Sequence, residues 1–320
     1  RLRRGHSRGT KVRLIPPRIA GRSETETAEP VRPDRITLGA FGLMVLLGGS
    51  NFVGVRFSNR ELAPFWGAGL RFFVAAAVLF AIVAARRLKL PRGRALTGAV
   101  LFGVLNFGVA YGFLYWGFQR IHAGLGSVVM STVPLLTLLL VGAHRLEPFS
   151  ARGVFGALLS VVGIAVMFSQ NLGGEAPLMS VLALVAGAVC VAESGVIIKR
   201  YPMTDPVTTN AVAMGIGSAI LVGLSGLSGE PWRLPSRPET WAALLFLVVI
   251  GSVALFVVVI FVLNRWTASA TSYAFVLFPI IAAGESALLD NEALTAGLAV
   301  GGLIVLAGVY FGALSGAKNT

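Results

Sequence analysis

The chain has 320 residues, of which 55% are hydrophobic and only 13% charged. A soluble domain carries about a quarter charged residues, so a soluble globular fold is excluded. The formal net charge of +13 is no nucleic-acid signature either: residues 1–35 hold ten Lys/Arg against four Asp/Glu, and most other basic residues sit in short loops.

Residues 1–35 are basic, contain prolines and lack apolar periodicity, which reads as a disordered tail. No apolar core follows the arginines closely enough for a cleaved secretory signal. Ten apolar spans come next, at about 36–55, 62–85, 95–118, 121–143, 153–170, 176–198, 206–228, 240–264, 266–289 and 293–315. Each approaches the ~20 residues that cross a hydrocarbon core as a helix. The alternating ~10-residue segments of a barrel are missing. The expected class is therefore an all-α polytopic membrane protein with ten transmembrane helices. The single cysteine, Cys190, lies inside an apolar run, so it forms no intramolecular disulfide and no cysteine metal site.

Basic residues orient the spans. With the N-terminus cytoplasmic, 21 Lys/Arg fall on the inner side and five (Arg56, Arg60, Arg120, Arg233, Arg237) on the outer, with Arg71 inside a span. The positive-inside rule places both termini in the cytoplasm, in a cell inner or plasma membrane.

The chain also repeats itself. Displaced by 145 positions, residues 120–163 fall on 265–308 without a gap and keep nine identities: Arg120/Arg265, Ala123/Ala268, Ser127/Ser272, Pro134/Pro279, Glu147/Glu292, Ala151/Ala296, Gly156/Gly301, Leu158/Leu303 and Gly163/Gly308. Proline and glutamate are scarce in this chain, so those pairs carry the signal for an internal duplication. The offset spans five helices, an odd number, so the second copy is inverted across the membrane. The expected organisation is a tail over 1–35 and two inverted five-helix repeats over 36–170 and 171–316. Inverted repeats characterise secondary transporters, whose site lies near the midplane between the halves.

Gly49-Ser50-Asn51-Phe52-Val53-Gly54-Val55-Arg56, Leu70-Arg71-Phe72 and the two repeat blocks running through Pro134 and Pro279 resemble EamA-type proteins of the drug/metabolite transporter superfamily. The similarity covers about residues 36–316. It implies two five-helix repeats and carriage of small organic molecules. The chain departs from the family pattern at Gly48, where tryptophan is frequent, and at Ala192-Glu193-Ser194-Gly195, near the place of Asn51 in the second copy.

Candidate site residues follow from the cost of polarity in lipid. Pro134 and Pro279 each remove a backbone donor in mid-span and free a carbonyl one turn earlier, which is also compatible with a simple packing kink. Ser127 and Ser272 stand seven residues before each proline, two helical turns, hence on nearly the same face; Ser131 and Tyr273 add polar atoms nearby. The same hydroxyls also suit bonding between helices. Glu193 lies about 9 Å inside span six, where a carboxylate must be paired, hydrated or protonated, so it suits a cationic group or a coupling proton. Arg71, near mid-depth, is expected to pair with Glu285 or Glu193, or else to suit an anionic substrate group. Asn51, Asn106 and Tyr111 supply polar anchors for an otherwise apolar pocket, while Tyr115 and Trp116 suit an interfacial belt. Glu147 and Glu292 start helices five and ten, where a carboxylate favours the helix N-terminus, and read as structural caps or gate-side contacts, not substrate ligands.

The leading reading is an exporter or exchanger of small organic metabolites such as amino acids or related amines, alternating between two faces, with proton coupling through Glu193 as a subsidiary reading. No P-loop is present, so ATP is not the direct driver, and no cofactor or metal is implied. The expected partners are a small-molecule substrate and the bilayer, with a homo-oligomer left open. Two alternatives compete. Gly223-Leu224-Ser225-Gly226 reads like the Gly-x-Ser-Gly of an intramembrane serine hydrolase, although His6, His122 and His144 all precede Ser225. A non-transporting membrane sensor is the other.

Overall fold

The computed structural model describes residues 33–120, 123–169, 177–202, 204–289 and 296–314. The basic tail up to residue 32 and Glu292 lie outside these. The described residues form ten helical spans: α1 Arg35–Ser58, α2 Pro64–Ala85, α3 Arg94–Phe118, α4 Ala123–Met130 and Val133–Ala143, α5 Ala151–Met167, α6 Leu178–Arg200, α7 Pro206–Leu227, α8 Pro238–Arg265, α9 Ala268–Ser272 and Ala274–Leu289, and α10 Ala296–Val309, continued by Tyr310–Leu314. Seven of them are long and apolar enough to cross a membrane, while α5 and α10 are shorter apolar helices. At 1.5 Å per residue, the 22 residues of α2 reach about 33 Å, a hydrocarbon thickness.

Burial is arranged for lipid. Arg71 is 1% exposed and Asn210 0%, whereas Phe73 is 62% exposed and Leu303 69%. In water this order would reverse; in hydrocarbon the apolar side chains face the solvent and the polar ones turn inward.

Local chemistry sets the helix ends. Asp34 caps α1 by accepting from the Thr37 amide at 2.8 Å, and Ser150 caps α5 by accepting from Gly153 N at 3.0 Å. Asp205 caps α7 at the Val207 and Thr208 amides. Proline opens α2, α7 and α8, where its missing N–H leaves no bond unmade.

End-to-end contacts fix the directions. Glu230, just past the end of α7, accepts from the Phe65 and Trp66 amides at the start of α2, at 3.1 and 2.8 Å. The corresponding helices of the two halves therefore run antiparallel, as inverted copies must. At the other, basic end, Arg265 closing α8 pairs with Asp34 opening α1 at 2.9 Å. Lys199 there donates to the Leu263 and Trp266 carbonyls at 2.8 and 2.9 Å, satisfying the free carbonyls where α8 ends.

The two halves interlock by exchange. The first helix of each copy packs on the third and fourth helices of the other: α1 on α8 and α9, α6 on α3 and α4. The α2–α7 and α5–α10 pairs unite equivalent helices. Both third helices carry a π-helical stretch, Gly103–Ala110 in α3 and Val249–Ala254 in α8, at nearly the same place under the 145-residue offset. Arg120 lies over the Trp116 ring and Arg265 over the Phe261 ring, four residues back in each copy. These features repeat although few of their side chains are identical.

Candidate functional site

α2 brings Arg71 into the interior with its side chain turned toward α8. Its Nε donates to Ser252 Oγ at 2.7 Å and its Nη2 to the Gly251 carbonyl at 2.6 Å. The π-helical stretch of α8 accounts for this second bond, since its irregular ladder leaves a carbonyl available to an outside donor. The guanidinium stacks 4.9 Å from the Phe72 ring and 5.9 Å from that of Tyr111. Asn51 on α1 closes the cluster: a Cβ placed on Gly251 would collide with Asn51 Oδ1 and stand 3.4 Å from Arg71 Nη2. Tyr111 couples to both Arg71 and Asn51.

The expected pairing of Arg71 with Glu285 or Glu193 is not found. Among the described residues no carboxylate pairs with Arg71, because both acids have other partners. Glu285 accepts from Ser50 Oγ, joining α9 to α1. Glu193 Oε1 lies 2.9 Å from His144 Nε2, joining α6 to the end of α4, and His144 Nδ1 lies 3.1 Å from Arg200 Nη1. Arginine only donates, so Nδ1 is the acceptor and Nε2 carries the hydrogen given to Glu193. His144 thereby links the Arg200 cation to the carboxylate. In the sequence His144 stands out only as a distant base for Ser225; its place at the end of an apolar span is the signal that points to this pairing.

The π stretch of α3 holds the counterpart of the Gly251 turn. Asn106 Oδ1 accepts from Ser194 Oγ of α6 at 3.3 Å, and its Nδ2 is buried without a partner. In both copies, then, a polar residue of one first helix meets the π-helical turn of the opposite third helix.

The proline hypothesis is only half realised. Helix α4 is interrupted at Ser131–Thr132, two residues before Pro134, while α9 is interrupted at Tyr273 and Pro279 lies inside the continuous helix that follows. Each break falls between the serine and its proline, so the seven-residue spacing does not run along an unbroken α-helix. Ser131 and Ser272 donate within their own helices, to the Val128 and Ser269 carbonyls at 2.7 and 2.6 Å. Tyr273 Oη donates to Gly153 O at 2.6 Å, fastening α9 to α5. Glu147 does not cap α5 as expected: Ser150 holds that place, and Glu147 accepts from the Ala268 and Ser269 amides at the start of α9, at 2.8 and 3.4 Å. None of these four belongs to the Arg71 cluster.

Ser225 is buried and accepts from Trp232 Nε1 at 3.1 Å near the end of α7. His144, at the basic end, lies about the length of α7 away, roughly 30 Å. A cleft of about 480 Å³ between α2 and α7 is lined by Phe73, Ala76, Phe80, Gly215 and Val222 among others. It is apolar and faces the lipid, so it offers nothing to orient a polar substrate.

The sequence profile of the EamA-like transporter family matches residues 36–169 and again 178–313. The chain belongs to this family. Among curated relatives, the uncharacterized inner membrane transporter YedA of Escherichia coli (strain K12) is 28% identical over 260 residues, 80% of this chain and 84% of that one. The uncharacterized transporter YoaV of Bacillus subtilis (strain 168) is 24% identical over 283 residues, covering 86% and 96%. A probable amino-acid metabolite efflux pump of Escherichia coli (strain K12) is 24% identical over 285 residues, covering 84% and 91%. A solved crystal structure superposes with a TM-score of 0.74 at 19% identity over 88% of this chain and 98% of the other, which shows a shared fold. The protein is a multi-pass membrane protein of a transporter family.

Proposed function

We propose that this EamA-family protein is a secondary carrier of small organic metabolites, amino acids or related amines, moved by alternating access with both termini in the cytoplasm. One observation carries the reading: each copy's first helix is fastened to the other copy's fourth helix by an acid, Glu285 to Ser50 on α1–α9 and Glu193 to His144 on α6–α4. Ser50 stands one residue from Asn51, at the level of the Arg71 cluster, and Glu193 lies nearer the basic end of α6, so the α6–α4 fastening is on the basic side of the α1–α9 one. Releasing one while keeping the other opens the interior to one face only. Inverted copies make the two open states similar in energy. The named efflux pump among the relatives supports amino-acid chemistry.

Glu193 is the residue on which proton coupling would rest. Its Oε2 is buried without a partner, so it has room for a proton or a cationic group. The test is counterflow of labelled amino acids and amines in proteoliposomes, with and without a pH gradient. The reading expects gradient-dependent flux in the wild type that loses its gradient dependence in Glu193→Gln. Flux indifferent to the gradient in both proteins would remove the coupling, and no flux of any metabolite would remove the carrier.

A further inference from the structure

Resting on the carrier reading, we infer that the Arg71–Gly251–Asn51 cluster is the subsite for the zwitterionic head of an α-amino acid. Two orphaned atoms converge there. Arg71 Nη1 is a buried charged donor and Asn51 Oδ1 a buried acceptor, and neither makes a hydrogen bond of normal geometry, although the Tyr111 hydroxyl lies near both. An α-amino acid presents the complement of that pair on adjacent groups, a carboxylate that accepts and an ammonium that donates. Arg71 is 1% exposed and has no carboxylate partner among the described residues, so an arriving carboxylate supplies the missing counter-charge.

The guanidinium is already aimed. Ser252 and the Gly251 carbonyl hold Nε and Nη2, leaving the free Nη1 edge fixed rather than searching rotamers. Glycine at 251 keeps the floor of the cradle clear, since a Cβ there would strike Asn51 Oδ1. The Tyr111 ring forms an aromatic wall beside the cation. A simple amine leaves Arg71 unpaired, and a simple carboxylate leaves Asn51 unpaired; a zwitterion satisfies both.

The experiment is a thermal-shift titration of the full chain in detergent with the common L-amino acids, each beside its amide, which lacks the carboxylate, and its des-amino acid, which lacks the ammonium. At least one amino acid is expected to raise the unfolding midpoint, with tenfold or weaker binding by both analogues. Arg71→Lys is expected to lose the response, because an ammonium lacks the planar fork. Asn51→Ala, a half-buried site, is expected to weaken the amino acid more than its des-amino analogue. Binding of an amide as tight as its amino acid, or no response to any amino acid, overturns the subsite. Counterflow separates this from the carrier reading: flux of some other metabolite without amino-acid binding sinks the subsite alone, while binding without flux sinks the carrier alone.

Discussion

Asn106 and Gly251 stand 145 residues apart and occupy the same turn of the two third helices, each inside a π-helical stretch. Ser194 of α6 reaches the first, and Asn51 of α1 lies against the second. The duplication therefore preserves a backbone device, an irregular turn facing the other copy's first helix, while letting the side chains diverge. Only one copy adds a buried cation: Arg71 has Ile216 at its counterpart position. A symmetric frame thus carries an asymmetric polar cluster, which would suit a substrate with two different ends.

The α5–α10 seam is held at glycines that correspond under the same offset. A Cβ on Gly156 would stand 2.5 Å from Gly308 O, and one on Gly163 would stand 2.8 Å from Gly301 O. Backbone atoms cannot yield as a flexible side chain does. Gly163→Ala is expected to destabilise by about 1–3 kcal/mol, the range for overpacking a close contact. Thermal unfolding in detergent checks it, with Gly142→Ala, which meets nothing nearby, as the control expected to change little.

Tyr273 acts on the α9–α5 contact rather than on substrate. Tyr273→Phe keeps the ring and removes the bond to Gly153 O, so it is expected to cost about 1 kcal/mol. The same variant is expected to leave counterflow KM unchanged. A large rise in KM with normal stability would return Tyr273 to the substrate site.

The frame was legible because its signals are additive. Twenty-residue apolar runs, lopsided basic loops and the Pro134/Pro279 and Gly156/Gly301 pairs all survive a one-dimensional reading. The site was legible only as a set of residues. Asn51, Arg71 and Tyr111 were named because polarity in lipid is expensive, but their partners were not, because no residue type announces a π-helical turn. Arg71 was expected to find Glu285 or Glu193, and the acids were instead taken by Ser50 and His144. The turn between Ser127 and Pro134 was hidden for a related reason: periodicity assumes an unbroken helix, and no residue type marks the break at Ser131–Thr132. Glu147 was placed by its neighbour in sequence, whereas the helix it caps begins 121 residues later.

Glu147 makes a cap across the copies, one acid holding the start of α9. Glu147→Ala is expected to cost about 1 kcal/mol of stability, with Glu147→Gln losing less because its amide oxygen still accepts. Equal losses for the two would show that the negative charge, rather than the acceptor, carries the cap.

Two acids at helix ends, Asp34 exposed and Glu61 half-buried, set an acid limit on stability. Hydrogen bonds from the Thr37 side chain and backbone, with Arg265 beside them, hold Asp34 at about 2, and Ser236 with Thr240 does the same for Glu61. Both lie below their ordinary values, so their contribution is full above about pH 4 to 4.5 and fades as pH falls toward about 2. The unfolding midpoint is expected to drop through that window. The Asp34→Asn/Glu61→Gln double variant is expected to flatten the drop; an unchanged slope would assign acid loss to other groups.

The two acid fastenings predict opposite outcomes when each is locked. In a Cys190→Ala background, cysteines replacing Ser50 and Glu285 would sit across the α1–α9 seam, and cysteines replacing His144 and Glu193 across the α6–α4 seam. Joining either pair with a short bifunctional thiol reagent is expected to stop counterflow, since exchange requires both faces to open in turn. The locked forms should differ in exposure. With α1–α9 joined, a reporter cysteine at Ser127 is expected to react with a membrane-impermeant reagent only from the basic side; with α6–α4 joined, only from the other. Flux surviving both locks, or a reporter equally exposed in both, would mean that these seams do not open during transport.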